Sequence, residues 1–144
     1  MSAETAIETY RGVVYPWHLD QMDHMNVQFY TAFFDAATWH FFAALGMTTS
    51  YFKVNGRGMA ALDMRTLFKR ELHAGALVRI TSELLEAKPK TIRFLHRMYE
   101  SEGGGEAATA EIVGAHIDTA ARRSVPFPED IVRRQNDFIG RRAG

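Results

Sequence analysis

Two aspartates, two histidines and an asparagine stand close together in His18-Leu19-Asp20-Gln21-Met22-Asp23-His24-Met25-Asn26. A carboxylate in such a turn can attack a carbonyl carbon as a nucleophile or take a proton from water. An imidazole beside it can orient a substrate or relay a proton. Asn26 is a favoured helix N-cap, because its side-chain oxygen accepts a bond from a free amide of the first turn. A helix starting there would aim unpaired amides and a partial positive charge back at the turn, which suits a developing oxyanion. On its residues alone, Asp20 reads first as a turn aspartate bonded to nearby backbone amides. Asp23 reads as a turn or dipole-complementing residue, and His24 as either loop packing or a functional group. The two histidines and two aspartates raise a metal site, but their spacing matches no recognised zinc pattern, and no metal is expected.

The elements that would position this turn follow from periodicity. Tyr10 to Trp17 reads as a strand leading into it. After Asn26, a helix is expected from about Val27 to Leu45, stopped by Gly46 as a left-handed cap. Tyr30, Phe33, Phe34, Ala37, Phe41, Ala44 and Leu45 form a buried stripe at helical spacing. Gln28, Thr31, Asp35 and Thr38 form a narrower polar stripe. A helix this bulky needs cover over most of its circumference, which a curved sheet provides. The remainder reads as strands. Alternation runs from Leu62 to Lys69 after Gly56-Arg57-Gly58, and from Leu77 to Glu86 after the turn His73-Ala74-Gly75. Lys88-Pro89-Lys90 turns the chain into Thr91 to Glu100. Gly103-Gly104-Gly105 is a flexible hairpin loop before a long alanine-rich strand, Glu106 to Thr119. Pro126-Phe127-Pro128-Glu129 starts a short terminal helix. The plan is α+β, an antiparallel sheet wrapped on one long helix in a single domain over residues 1–144.

Composition removes several kinds of function. The 144 residues hold 17 basic and 17 acidic side chains, so no global charge calls for nucleic acid or a membrane surface. There is no cysteine, which excludes disulfides, thiolate nucleophiles and thiolate metal sites. The start, MSAETAIETY, lacks the pattern of a signal peptide, and Val27 to Met47 is too polar to span a bilayer. A cytoplasmic protein is expected. Met22, Met25, Met59 and Met64 read as core or pocket lining.

The stretch from Val14 to Gly46, with Asp20, the Asp23-His24-Met25-Asn26 turn, Tyr30 and Phe33-Phe34-Asp35-Ala36-Ala37, resembles the 4-hydroxybenzoyl-CoA thioesterase family of hotdog proteins. Phe68, the Gly75 turn, the basic Lys88-Pro89-Lys90 turn and the close from Arg122 to Glu129 extend the resemblance over nearly the whole chain. It implies a hotdog fold and an acyl-CoA thioesterase whose central catalytic residue is Asp20, as nucleophile or general base. It further implies that an amide near Val27 polarises the thioester carbonyl, with His24 beside it. Substrate contacts are expected at Asn26, Gln28, Tyr30 and Asp63. Lys88, Lys90, Arg122 and Arg123 would meet the CoA phosphates. Coenzyme A is part of the substrate, and no cofactor is expected. The chain departs from the family pattern in three places. His18 stands where the family often has the first of two acids, Asp23 replaces a usual glycine, and Gln28 stands where relatives of the Tol-Pal system carry a histidine.

Asp35 and Asp63 are rival carboxylates. Another branch of hotdog thioesterases uses an acid on the central helix, but Asp35 reads more simply as a polar-stripe residue bonded to backbone or a neighbouring strand. Asp63 shares a strand face with Arg65, so an ion pair is its simplest account. Phe29, Phe33, Met59 and Met64 are candidate lining for the acyl pocket. Two other functions stay open: a hotdog hydratase or dehydratase, whose Pro-Gly motif is absent here, and a noncatalytic acyl-CoA or acyl-carrier binding module. The resemblance implies an obligate homodimer within a tetramer, its sites shared between subunits. Strands Thr91–Glu100 and Glu106–Thr119, with few breakers, would support the extended sheet.

Overall fold

The computed structural model describes residues 6–143, with side chains described through Ile139. The chain forms β1 (Ile7–Val13), α1 (Val27–Ala44), α2 (Thr49–Asn55), β2 (Arg57–Phe68), β3 (Leu77–Ala87), β4 (Thr91–Glu100), β5 (Glu106–Asp118), β6 (Arg123–Ser124) and α3 (Glu129–Ala143). The strands make one antiparallel sheet in the order β1-β3-β4-β5-β2, with the two residues of β6 also paired to β5. This is the α+β hotdog plan. The sheet curls around α1, whose Phe34 and Phe41 are fully buried. Burial of a side chain of this size contributes roughly 1.5–3 kcal/mol.

Besides β2, which begins at Arg57 rather than Leu62, and the unexpected β6, three elements differ from the sequence expectation. β1 starts three residues earlier than Tyr10 and ends at Val13, because Pro16 opens a 3-10 turn over Pro16–His18. Proline has no N–H for a strand ladder and is preset for the first helical position. His18 closes that turn, its Nδ1 accepting the Tyr15 amide proton at 2.9 Å. Thr49–Asn55, expected as non-helical, is a two-turn helix. Thr48 caps it by accepting from the Tyr51 amide at 3.2 Å, and Gly56 ends it at φ 61°. The terminal helix is longer than expected, with Ile131, Gln135 and Phe138 buried along one face and Phe138 5.8 Å from Phe41.

The sheet has two distinct ends. At one lie the end of β1, the Phe68 end of β2 and the start of β3, since Val13 pairs with Leu77 and Phe68 with Ala108. At the other lie the Arg57 end of β2, the end of β5 and the Lys88–Lys90 turn. The 11 residues of β3 separate the two ends, a span of roughly 35 Å at strand rise. β4 and β5 are interior strands, so the free edges belong to β1 and β2. β2 is exposed over much of its length, including Leu62, Met64, Leu67 and Phe68.

Candidate active site

The turn from His18 to Asn26 is closed by its own backbone. Leu19 and Met25 form an isolated bridge, Asp20 N–H donates to the His24 carbonyl at 3.3 Å, and Asn26 N–H to the His18 carbonyl at 2.9 Å. Asp23 makes the reversal at φ 63°, a conformation that aspartate tolerates and that explains the glycine commonly found in such a turn. His18 is structural, its ring against Phe29 and Phe33 at 4.7 and 5.5 Å.

Asn26 joins the turn to the helix. Its Oδ1 accepts the Gln28 amide proton at 3.0 Å, and its Nδ2 donates to Asp20 Oδ2 at 2.8 Å. The Met22 amide donates to the other Asp20 oxygen at 2.9 Å. These bonds, Asn26 first, hold the Asp20 carboxyl below its ordinary value, so it is a carboxylate at neutral pH. Asp20 is therefore both a bonded turn aspartate and an anion fixed at a helix mouth. The Gln28 and Phe29 amides are taken up by Asn26. The Val27 amide has no partner among the described residues and stays available to a carbonyl oxygen.

A cleft beside this mouth is lined by His24, Met25, Val27, Tyr30, Phe68, Lys69, Arg70 and Glu71. His24 Nε2 lies 2.8 Å from Glu71 Oε2. Tyr30 contributes its ring, while its hydroxyl donates to the Arg70 carbonyl at 3.0 Å. The side chain of Gln28 is exposed. Glu71 is not legible from the sequence. It sits in Arg70-Glu71-Leu72-His73, which reads as a lead-in to the Gly75 turn until the fold carries it beside His24.

A second groove, of about 240 Å³, runs between the polar stripe of α1 and the sheet. Thr31, Asp35, Thr38, Trp39 and Phe42 form one wall, with Met59, Met64 and Phe94 among the opposing residues. Met59 and Met64 thus occupy the expected pocket, whereas Phe29 and Phe33 pack against His18. Asp35 makes no hydrogen bond to backbone or strand among the described residues; it is exposed on the groove wall. Asp63 follows a bulge in β2 and is not among the residues lining this groove. Its ion pair with Arg65 does not form among the described residues.

Under the groove lies a polar network that the sequence did not reveal. Thr38 Oγ1 donates to the Phe34 carbonyl at 2.9 Å and lies 2.8 Å from His96 Nε2. With its one proton spent, Thr38 must accept from Nε2–H. His96 Nδ1 then accepts from Ser82 Oγ at 2.6 Å, and Ser82 Oγ lies 2.7 Å from Thr9 Oγ1. This fixes His96 as a neutral tautomer by the logic of donors and acceptors. Thr38 is left with only lone pairs to offer. Together with the Asp35 carboxylate it places acceptors on the groove's polar wall.

Lys88, Lys90, Arg122 and Arg123 gather at one end of the sheet. The His116 amide donates to the Lys90 carbonyl at 2.9 Å, and Arg123 pairs with Asp118. This is the end opposite Asp20, so within one protomer the four basic residues and the aspartate are not brought together. Among the described residues no group of three or more His, Cys, Asp or Glu could hold a metal ion. No described helix is long and apolar enough to cross a membrane.

A family model described as the thioesterase-like superfamily matches residues 14–135. Betainyl-CoA thioesterase from Pseudomonas aeruginosa is 27% identical over 128 residues, 89% of this chain and 80% of that protein. An L-carnitine dehydrogenase/betainyl-CoA thioesterase from Ruegeria pomeroyi is 30% identical over 120 residues, 83% of this chain and 24% of that longer protein. A protein from Staphylococcus aureus, solved in complex with CoA, shares the fold at TM-score 0.87 and 20% identity, covering 94% of this chain and 85% of that one. The chain belongs to the thioesterase-like superfamily, and it is a thioester hydrolase.

Proposed function

We propose that the chain hydrolyses acyl-CoA thioesters to free acid and CoA, with Asp20 as nucleophile or general base and the Val27 amide polarising the carbonyl. The observation that carries this reading is Asn26, which caps α1 and grips Asp20 with one side chain. A charged oxygen and an unpaired helix amide are thereby held at one mouth, the two components a thioester requires. The thiolate leaves without acid assistance, so attack and oxyanion stabilisation are the main demands. His24 stands beside Asp20, while Asn26 and Tyr30 shape the walls against which the substrate lies. Gln28 and Asp63, both exposed, remain candidate contacts for it.

The acyl end belongs in the groove beside α1. The Asp35 carboxylate and the rings of Trp39 and Phe42 favour an acyl group carrying a cation or a hydrogen-bond donor. The betainyl group in the name of the Pseudomonas relative is of that kind. The CoA phosphates belong with Lys88, Lys90, Arg122 and Arg123 of a second copy. Antiparallel two-fold pairing along β2 sets the Phe68 end of one protomer beside the Arg57 end of the other, joining Asp20 to the distant basic residues. The exposed apolar side chains of β2 support that pairing. The active unit is then a homodimer of single-domain chains, two of which form a tetramer, working in the cytoplasm.

The test is CoA release from a panel of acetyl-, hexanoyl-, benzoyl- and betainyl-CoA, with wild type beside Asp20→Asn. The variant should fold normally and lose turnover by a factor of at least about 100, the scale of a positioned acid–base or nucleophilic group. Near-normal turnover removes Asp20 from the chemistry and turns attention to Asp35. Tight binding without turnover by the wild type would instead make this an acyl-CoA binding module.

A further inference from the structure

Residues 70–73 are tied at three points to the catalytic turn and to α1. Arg70 O accepts from Tyr30 Oη at 3.0 Å, Leu72 O accepts from the Met25 amide at 2.7 Å, and His73 Nδ1 lies 3.3 Å from Asp23 O. Glu71 sits between these ties, 2.8 Å from His24 Nε2. An exposed ion pair ordinarily contributes little because both side chains must be held. Here the backbone on both sides is already held. A carboxylate only accepts, so its partner Nε2 carries a proton, and Nδ1 becomes the basic nitrogen of the ring. Nδ1 of His24 has no partner among the described residues, and the ring lines the same cleft as the unpaired Val27 amide.

We propose that Glu71 is a positioning residue that fixes His24 as the base activating water, and that Asp20 is the nucleophile. This rests on the acyl-CoA reading above and completes it. An Asp20 oxygen bonds to the thioester carbon, the C–S bond breaks, and CoA leaves as thiolate to be protonated by solvent. The product of this step is a mixed anhydride on Asp20. Water then gives a proton to His24 Nδ1 as its oxygen bonds to the acyl carbon. The bond from that carbon to Asp20 breaks, releasing the acid and restoring the carboxylate, and His24 returns its proton to solvent. The division of labour suits both groups. A general base works best with a pKa near the operating pH. Asp20, held low by Asn26 and Met22, is a weak base but remains an anion fit to attack. The charged and titratable groups facing His24 are Glu71, His73 at 6.3 Å between ring centres, Asp20, and Lys69 and Arg70 on the cleft wall.

Rapid-quench measurement of CoA release on the same four esters tests this in wild type, His24→Ala, Glu71→Ala and Glu71→Gln. The Glu71 side chain is 64% exposed, so its replacement leaves the fold intact. His24→Ala and Glu71→Ala should release about one CoA per site in a burst, then turn over at least about tenfold more slowly than wild type. Hydroxylamine should restore their turnover and yield acyl hydroxamate, but should not restore Asp20→Asn. Glu71→Gln keeps an acceptor for Nε2–H and should regain much of the turnover that Glu71→Ala loses. Full turnover in Glu71→Ala, a loss without burst or rescue, or a Glu71→Gln as slow as Glu71→Ala overturns the proposal while leaving Asp20 in place. A wild type that releases no CoA from any of the esters overturns the acyl-CoA reading itself, and this proposal with it.

Discussion

His96 shows how one buried residue ties stability to the site. It has no exposed surface, and burial pushes its pKa down to about 3. Above pH ~6.5 the ring is neutral in both the folded and the unfolded chain, so its full contribution is present there. Below that value the unfolded chain binds a proton that the folded one refuses. Stability should therefore fall by up to ~1.4 kcal/mol per pH unit as pH drops from about 6.5 toward the folded value. Chemical denaturation from pH 7 to pH 4 measures this against His96→Asn, in which the histidine part of the slope should vanish. An unchanged slope would assign the acid sensitivity to other groups. The same substitution breaks the line from Ser82 to Thr38, so it should also disturb the groove wall.

At the scale of elements, the start of α1 carries two separable duties in one side chain. Asn26→Ala removes the cap and should cost about 1 kcal/mol, while also freeing Asp20. Asn26→Asp keeps an acceptor for the Gln28 amide but loses the donor to Asp20 and sets a second carboxylate beside it. That variant should keep its stability within about 0.5 kcal/mol and still lose turnover, with the acid limb of kcat raised. Thermal melts and pH–rate profiles of both variants separate the duties; an Asn26→Asp enzyme with a normal profile would mean that the bond to Asp20 is idle. This much was legible in the sequence, since Asn26, the aromatic stripe and Gly46 are local signals read within a few residues. The short helix at Thr49–Asn55 was not, although Thr48 and Gly56 flank it as cap and stop. Seven residues offer too little periodicity to outweigh the strands around them. Glu71 and His96 were illegible for a different reason. Their partners are 47 and 58 residues away in the chain, and only the fold joins them. The groove follows the same logic. Asp35→Asn should reduce kcat/KM for betainyl-CoA at least about tenfold more than for 3,3-dimethylbutyryl-CoA, its uncharged isostere. Equal losses would show that Asp35 does not read the acyl charge.

At the scale of the whole molecule, the sheet order decides where two copies can join. β4 and β5 have long ladders but are paired on both sides, so they cannot receive another strand. β2 can, and a two-fold axis across its middle turns the distance between Asp20 and the basic end into proximity across the interface. Replacing Leu62 and Leu67, both exposed on β2, by lysine should then yield monomers by light scattering, with turnover lost although Asp20 is untouched. A fully active monomer would refute the shared site. Complementation gives a sharper test. Asp20→Asn lacks the nucleophile at every site, whereas Lys88→Ala/Lys90→Ala weakens binding of the CoA phosphates at every site. The lysine variant should show a raised KM for CoA esters and an unaltered KM for the matching pantetheine esters. In a mixed dimer, the intact aspartate of one subunit faces the intact lysines of the other, while the second site carries both defects. Random exchange makes half of the dimers mixed, so about one quarter of all sites should recover wild-type kcat/KM. Refolding the two variants together and assaying at low substrate reads this directly. If each site were built within one protomer, mixing would only average the two parental rates, and no gain would appear.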